Sequence, residues 1–232
     1  MAALHPQVVH FAIALLIVGV LFRLISLMGK PAWVAPAAFT LLLLGTAGAW
    51  VSVTSGTAAH GPVERVPGSR SAVQEHEEWA FRTRNMFLGV MVLELVGLVL
   101  ADPKRRAVWA LSGLVGLGGL YTLYHTGEAG GTLVYSYAGG IGIRSGNPQD
   151  VDRLLLAGMF QKAMAERKAG NAEAAATLLA DLGKRFPADT EVQLTAAESL
   201  LLDKKDAPAA IAALQTVQPP QGNRMLKMRH GM

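Results

Sequence analysis

The sequence contains no cysteine. This excludes disulfides, thiolate metal sites, cysteine-ligated iron–sulfur clusters and the CxxCH attachment of c-type haem. A metal ion or a haem would therefore have to be held by histidine, methionine, tyrosine or carboxylate side chains. The sequence also lacks a G-x-x-x-x-G-K-[ST] phosphate loop, a nucleophile elbow and an H-E-x-x-H motif, so none of the corresponding enzyme classes is indicated.

Charge is nearly absent from four long stretches. Residues 2–22 contain no Asp, Glu, Lys or Arg, and a helix of that length crosses a hydrocarbon core of about 30 Å. The chain is 51% hydrophobic with a mean hydropathy of +0.33, which favours a membrane protein in contact with the lipid bilayer. We expect an all-α fold, with a four-helix transmembrane bundle in residues 1–146 and a soluble helical-repeat tail in residues 147–232. The spans are predicted at about 5–28, 35–55 and 107–126, with a third that ends at about residue 101. The apolar part of the third span begins at Met86, but an S-x-x-Q capping box predicts that its helix begins near Ser71.

Basic residues set the predicted orientation. Arg23 and Lys30 mark the first short loop and three consecutive basic residues at 104–106 mark the third, so the positive-inside rule places both loops in the cytoplasm. Both termini are then periplasmic in a bacterial inner membrane. Four arginines within residues 57–85 oppose this orientation, but they are spread over a longer stretch. The formal net charge of +4 is interpreted as a topology signal, and no nucleic-acid partner is expected.

A weak internal repeat relates the two halves of the membrane domain. Ser55-Gly56-Thr57-Ala58, after the second span, resembles Thr126-Gly127-Glu128-Ala129, after the fourth. The same offset brings His5 onto His76. The repeat predicts two helical hairpins related by a pseudo-twofold axis along the membrane normal.

Two charged residues fall inside the predicted spans. Arg23 and Glu94 lie roughly five to seven residues from the cytoplasmic ends of their spans, and so at similar depth. Because an unpaired carboxylate is costly in a bilayer, we expect a structural ion pair between them. A proton-pathway role for Glu94 is the alternative.

Five histidines converge on the predicted outer edge of the bilayer. His10 and His125 are the best matched, since helix rise places both about 28–29 Å from the inner face. His76 lies roughly 8 Å higher, with His5 and His60 near or above that level. Two histidines on facing helices of a four-helix bundle commonly hold b-type haem. The alternatives are hydrogen-bonded structural roles for His10 and His125, solvated interfacial side chains at His5 and His60, and an exposed helix turn at His76.

The chain changes character after the fourth span. Residues 130–146 are rich in glycine and predict a loop or short hairpin over the outer face. In the tail, residues 170–175 and 205–210 are similar and recur about 35 positions apart, so the tail resembles tetratricopeptide repeats. Residues 225–232, with His230, are predicted to be disordered.

Three stretches carry a family resemblance. They are Leu4-His5-Pro6-x-x-Val9-His10-Phe11-x-Ile13-Ala14-Leu15, Ser55-Gly56-x-x-Ala59 with His76-Glu77, and His125-x-Gly127-x-x-Gly130-Gly131-x-Leu133-Val134-Tyr135-x-x-Ala138-Gly139. They resemble an uncharacterised bacterial family of four-span membrane proteins with an HPxxVHFPIAL signature. This chain has Ala12 where that signature has its second Pro. The resemblance implies an association with haem-handling or redox membrane proteins. The tail is outside the family pattern and suggests attachment to a larger envelope assembly.

Together these observations favour a b-type-haem-binding or metal-binding subunit for electron transfer in a bacterial inner-membrane redox complex, without substrate chemistry of its own. His10 and His125 are the first predicted haem ligands and His76 and His60 a second pair, while His10, His76 and His125 are the candidate metal ligands. The expected partners are other subunits of the complex, including a periplasmic cytochrome. The alternative is a cofactor-free accessory or scaffold subunit whose periplasmic helical tail docks a partner. A transporter has less support.

Overall fold

The computed structural model describes residues 2–29, 31–144 and 147–217. Every regular element in these residues is helical, which confirms the predicted all-α class. The chain divides into two compact units, Met1–Gly146 and Asn147–Met232. The predicted disorder of residues 225–232, with His230, concerns positions outside the described residues.

The first unit contains the long apolar helices. A 3-10 turn at Ala2–Leu4 precedes α1 (His5–Ser26), α2 (Val34–Glu64), α3 (Arg70–Val99), α4 (Lys104–Tyr135) and the short α5 (Gly139–Arg144). Among the described residues, three helices are long and apolar enough to cross a membrane, namely α1, α2 and α4. The apolar part of α3 begins only at Met86, after a charged half. The fourth span therefore stays a prediction.

Two helices are longer than their predicted spans. With 31 and 32 residues, α2 and α4 extend over about 46–48 Å, and they continue through Ser55 and Thr126 without a break. The expected glycine-rich loop or hairpin is wrong for the described part of residues 130–146, because α4 runs on to Tyr135 and α5 follows. The physical reason is packing, since Leu133 is buried in a cluster with Val63 and Val73. Such contacts override the low helix propensity of glycine.

The helices of the first unit pack as two hairpins. Most contacts of α1 are with α2 and most contacts of α3 are with α4, while α2–α3 and α1–α4 contacts close the bundle. When 71 is added to the first and last residue numbers of α2, they match those of α4 to within one residue.

Helices α2 and α4 both approach α1 closely at a glycine. A Cβ atom at Gly45 would lie 2.8 Å from Leu16, and one at the equivalent Gly116 would lie 2.9 Å from Val20. Small residues at such positions let membrane helices pack closely.

The second unit is a stack of shorter helices. They are α6 (Pro148–Lys168), α7 (Ala172–Arg185), α8 (Thr190–Leu202) and α9 (Ala207–Thr216), each packed on the next. The turns before α7 and α9 match at the predicted interval, since Gly170 and Lys205 both have positive φ, at 85° and 57°. Assignment to the tetratricopeptide class stays a prediction.

Candidate histidine site

Two histidines occupy equivalent places in the two hairpins. His5 begins α1 and its Nδ1 lies 3.0 Å from Ser55 Oγ on α2. His76 lies in the first half of α3 and its Nδ1 lies 3.0 Å from Thr126 O on α4. Both pairs bridge the two helices of one hairpin, and both imidazoles are half-buried.

The hydrogen-bond partners fix the tautomer of both rings. Thr126 O is a carbonyl oxygen, which only accepts, so the proton of His76 is on Nδ1. Ser55 Oγ donates its own proton to Ser52 O at 3.1 Å, and it therefore accepts from His5 Nδ1. Nε2 of each ring then keeps its lone pair, the arrangement found in histidines that ligate a metal through Nε2.

Glycines lie against both rings. A Cβ atom at Gly56 would be 3.0 Å from Cε1 of His5, and one at Gly130 would be 3.0 Å from Cε1 of His76. Any larger residue at these positions would press on the imidazole. The missing side chains thus allow each ring to lie close to the backbone of the neighbouring helix.

A third histidine lies in the same region of the first unit. His60, which is half-buried near the end of α2, interacts electrostatically with both His5 and His76. His60 and His76, the second predicted pair, stay a prediction, since no described hydrogen bond or ring contact joins them. His5, which sequence reasoning had left among the solvated interfacial candidates, is held by a contact between helices as His76 is.

The first predicted pair has a different environment. His10 is exposed on the outer side of α1, and its Nδ1 donates to Pro6 O within the same helix. His125 stacks on Trp79 with ring centroids 4.6 Å apart. Among the described residues, no hydrogen bond, ion pair or ring contact joins His10 to His125.

The described side chains do not assemble a metal site. In the part of the chain that the structure describes, no group of three or more His, Asp or Glu side chains converges on a common point. In particular, His10, His76 and His125, the candidate metal ligands, do not form such a group, because His10 faces outward and His125 is packed among aromatic rings. A haem needs only two axial protein ligands. His5 and His76 are the two described histidines that contact the other helix of their own hairpin through Nδ1.

Arg23 and Glu94 form the ion pair that their depth predicts. Both side chains are buried, and Nη2 of the arginine meets Oε2 of the glutamate. Arg23 Nε donates to Glu94 Oε1 at 2.7 Å, and Ser112 Oγ donates to the same oxygen at 2.6 Å. The guanidinium also lies 4.3 Å from the ring centre of Trp109. The carboxylate is fully engaged, which favours the structural interpretation over a proton pathway.

The helical fold, the three apolar helices and the buried ion pair define a helical membrane protein. The chain belongs to the family described as Predicted membrane protein (DUF2231), whose sequence model matches residues 1–142. No curated protein and no solved structure matches it. The family match ends before the second unit begins.

Sequence reasoning missed the partners of the site histidines. Ser55 and Thr126 were noted only as parts of the internal repeat, although their offset from His5 and His76 was already visible. The ring contacts of His125 with Tyr121 and Tyr124 were also missed. Tyr121 lies four residues before His125, a spacing at which side chains on a helix meet, so this contact was visible in the sequence.

Proposed function

We propose that the first unit binds b-type haem and serves as an electron-transfer subunit of a bacterial inner-membrane redox complex. The observation that carries this proposal is the pair His5 and His76, which are equivalent in the internal repeat and are both held through Nδ1. The two Nε2 lone pairs are the donors that a low-spin haem requires. A bound haem would supply a one-electron redox couple.

The residues around the two rings have defined roles in this proposal. Ser55 and Thr126 accept from Nδ1, which orients each imidazole and raises the basicity of Nε2. Gly56 and Gly130 leave room beside the rings. His60 is the remaining candidate, and it would act as an alternative ligand with His76, as the sequence predicts.

The pairing of His10 with His125 stays a prediction that the same experiment tests. His10 lies on α1 and His125 on α4. The proton of His10 is also on Nδ1, which donates to Pro6 O. The geometry favours His5 and His76 because each of their hydrogen bonds crosses between helices and so fixes the ring relative to the bundle.

The proposed setting follows from the sequence. Four spans with both termini periplasmic would put the histidine cluster at the outer side of the inner membrane. A haem there would be accessible to a periplasmic cytochrome, and the second unit would lie in the same compartment. The support for this placement is the basic loop at 104–106.

The deciding measurement is a dithionite-reduced minus oxidised visible spectrum of detergent-purified protein expressed with ample haem, with metal analysis of the same sample. We expect a Soret band and a sharp alpha band, which His5→Ala and His76→Ala abolish. A spectrum lost instead in His10→Ala and His125→Ala would move the ligands to the first predicted pair. A colourless wild-type protein would overturn the proposal.

A cofactor-free accessory subunit is the second candidate. The observation that favours it is that both imidazole hydrogen bonds join neighbouring helices, which would stabilise the bundle without any ligand. In that case the wild-type protein is colourless, and His5→Ala and His76→Ala lower the unfolding temperature of the haem-free protein.

A further inference from the structure

A second histidine environment lies beside the proposed haem site. The ring of His125 is surrounded by three aromatic side chains, with centroids at 4.6 Å for Trp79, 4.6 Å for Tyr121 and 5.4 Å for Tyr124. The Trp79 ring is nearly parallel to the imidazole, at 22°, and the two tyrosines meet it edge-on. The imidazole is therefore held in one orientation.

The two nitrogens of His125 differ in their surroundings. Nδ1 lies 3.5 Å from Oε2 of Glu128, one helical turn further on. No described residue makes a hydrogen bond to Nε2. The side chain is 27% exposed, so a ligand from outside the bundle can reach the ring.

The two tyrosines face outward. Tyr121 is 61% exposed and Tyr124 is 66% exposed, on the helix that the sequence places in the bilayer. A ligand that reaches them would come from the membrane and not from the interior of the bundle. Their exposed faces suit a flat ring, since aromatic rings prefer offset-stacked or edge-on partners.

The internal repeat shows which part of the cluster is special to the second hairpin. The position equivalent to Tyr121 in the first hairpin is also aromatic, Trp50, as expected for a belt of aromatic residues at a membrane interface. The positions equivalent to Trp79, Tyr124 and His125 are Val8, Val53 and Thr54. The imidazole and the two further rings around it are thus found in the second hairpin alone.

The cluster is also adjacent to the proposed ligand His76. His125 precedes Thr126, whose carbonyl oxygen accepts from His76 Nδ1. We propose that Trp79, Tyr121, Tyr124 and His125 bind the headgroup of a membrane quinone, with the Nε2–H of His125 donating to a quinone oxygen and the quinone ring lying against the tyrosines. The redox use of this site rests on the proposed function, but quinone binding does not.

The test is photolabelling of the full chain in lipid nanodiscs with an azido-quinone, with and without excess unlabelled quinone, followed by mapping of the labelled peptides. We expect label on residues 121–128 or at Trp79 that the unlabelled quinone displaces. In His125→Ala, displacement should require about tenfold more quinone, as for the loss of one good hydrogen bond. In Tyr124→Leu, about fivefold more should be needed.

Tyr124→Leu keeps the test informative if His125→Ala misfolds, because Tyr124 is largely exposed. Tyr135→Leu is the matched control, since Tyr135 is 87% exposed on the same helix and outside the cluster. Equal displacement in Tyr124→Leu and Tyr135→Leu would overturn the proposal, as would label displaced by added phospholipid instead of quinone.

The two proposals fail separately. Displaceable label at the cluster in a colourless protein would support the quinone site and overturn the haem proposal. A haem spectrum together with label that is scattered, or that unlabelled quinone does not displace, would overturn the quinone site alone.

Discussion

His5 and His76 each present Nδ1 to a residue 50 positions further along the chain, and in both cases that residue belongs to the other helix of the hairpin. The two contacts have the same length, 3.0 Å, although one acceptor is a hydroxyl and the other a carbonyl. The contact distance is therefore the same although the acceptor groups differ. The feature that the two hairpins share is the position of the imidazole ring.

The haem proposal predicts that removing the acceptor of His5 weakens haem binding without removing a proposed ligand. In Ser55→Ala we expect haem affinity to fall by about tenfold to a hundredfold, the range for loss of a residue that orients a ligand. Thr57→Ala is the control, since its hydroxyl donates only within α2, to Val53 O. Haem titration of the apoprotein measures both. Equal affinities in the two variants would argue against His5 as a ligand.

A methyl group beside the His76 ring should shift the second proposed haem ligand. In Gly130→Ala the new Cβ would lie 3.0 Å from Cε1 of His76, so the ring must shift and haem affinity should fall by about tenfold. Gly127→Ala is the matched control on the same helix, because nothing lies within 4 Å of its Cβ. The control should leave the spectrum unchanged and raise stability slightly through helix propensity. Identical haem titrations of Gly130→Ala and Gly127→Ala would contradict the assignment of His76 as a ligand.

Breaking the buried ion pair should destabilise the bundle strongly. Glu94→Gln leaves the Arg23 charge buried without a counter-charge, and we expect a loss of about 3–5 kcal/mol. The double variant Arg23→Met, Glu94→Leu should recover most of that loss, since an apolar pair removes both desolvated charges. Denaturation in mixed detergent with SDS measures the change. In the control Glu78→Gln, whose partner Arg82 is exposed, little should change; a small effect of Glu94→Gln would contradict the prediction.

The four-span topology predicts alternating compartments. Alkaline phosphatase, which is active only in the periplasm, should be active when fused after residue 68 or 146 and inactive after residue 30 or 102. If the fusions after residue 68 and after residue 102 were both active, α3 would not cross the membrane. The reverse pattern at all four sites would invert the orientation.

The second unit should lose stability at low pH. The pKa of Asp203 is held below its usual value, first by the hydrogen bonds from Arg167 and then by the one from Ser199, while burial opposes the shift. Because the folded pKa is lowered, the stabilisation is complete above the unfolded pKa of about 3.9 and is lost as the pH falls through the lower folded value.

Hydrogen exchange in the full chain, corrected for the intrinsic pH dependence, should show weaker protection of α6 and α8 at pH 3 than at pH 6. Asp203→Asn should weaken protection at pH 6 and reduce the change with pH. Asp181→Asn is the control, since its pair with Lys184 is exposed. An unchanged pH response in Asp203→Asn would contradict the assignment.

The sequence predicted the helices and the depth of the polar residues better than their direction. Arg23 and Glu94 were matched by counting helix rise, and the structure pairs them. The same counting matched His10 with His125, but depth along an axis does not specify which face a side chain occupies. The buried residues of α1 include Ala12, Leu16 and Arg23, and His5 continues that helical spacing whereas His10 does not.

Long-range contacts were beyond the sequence for a physical reason. The contact of His5 with Ser55 depends on the rotation of α1 against α2, which small residues such as Gly45 set through close packing. The extension of α4 to Tyr135 likewise depends on burial of Leu133, which local propensity does not contain. The internal repeat was the one sequence signal that already linked the distant positions of the site.

Arg23 and Glu94 are 71 residues apart, the same interval that relates His5 to His76, so the pseudo-twofold axis passes between the two members of the ion pair. A protein assembled from two copies of the first hairpin would bring two guanidinium groups together at this point, and two copies of the second would bring two carboxylates. The buried charge of each hairpin is therefore opposite to that of the other hairpin, and two identical hairpins would repel each other at this point. The ion pair therefore favours a bundle of two unlike hairpins over a bundle of two copies of either one.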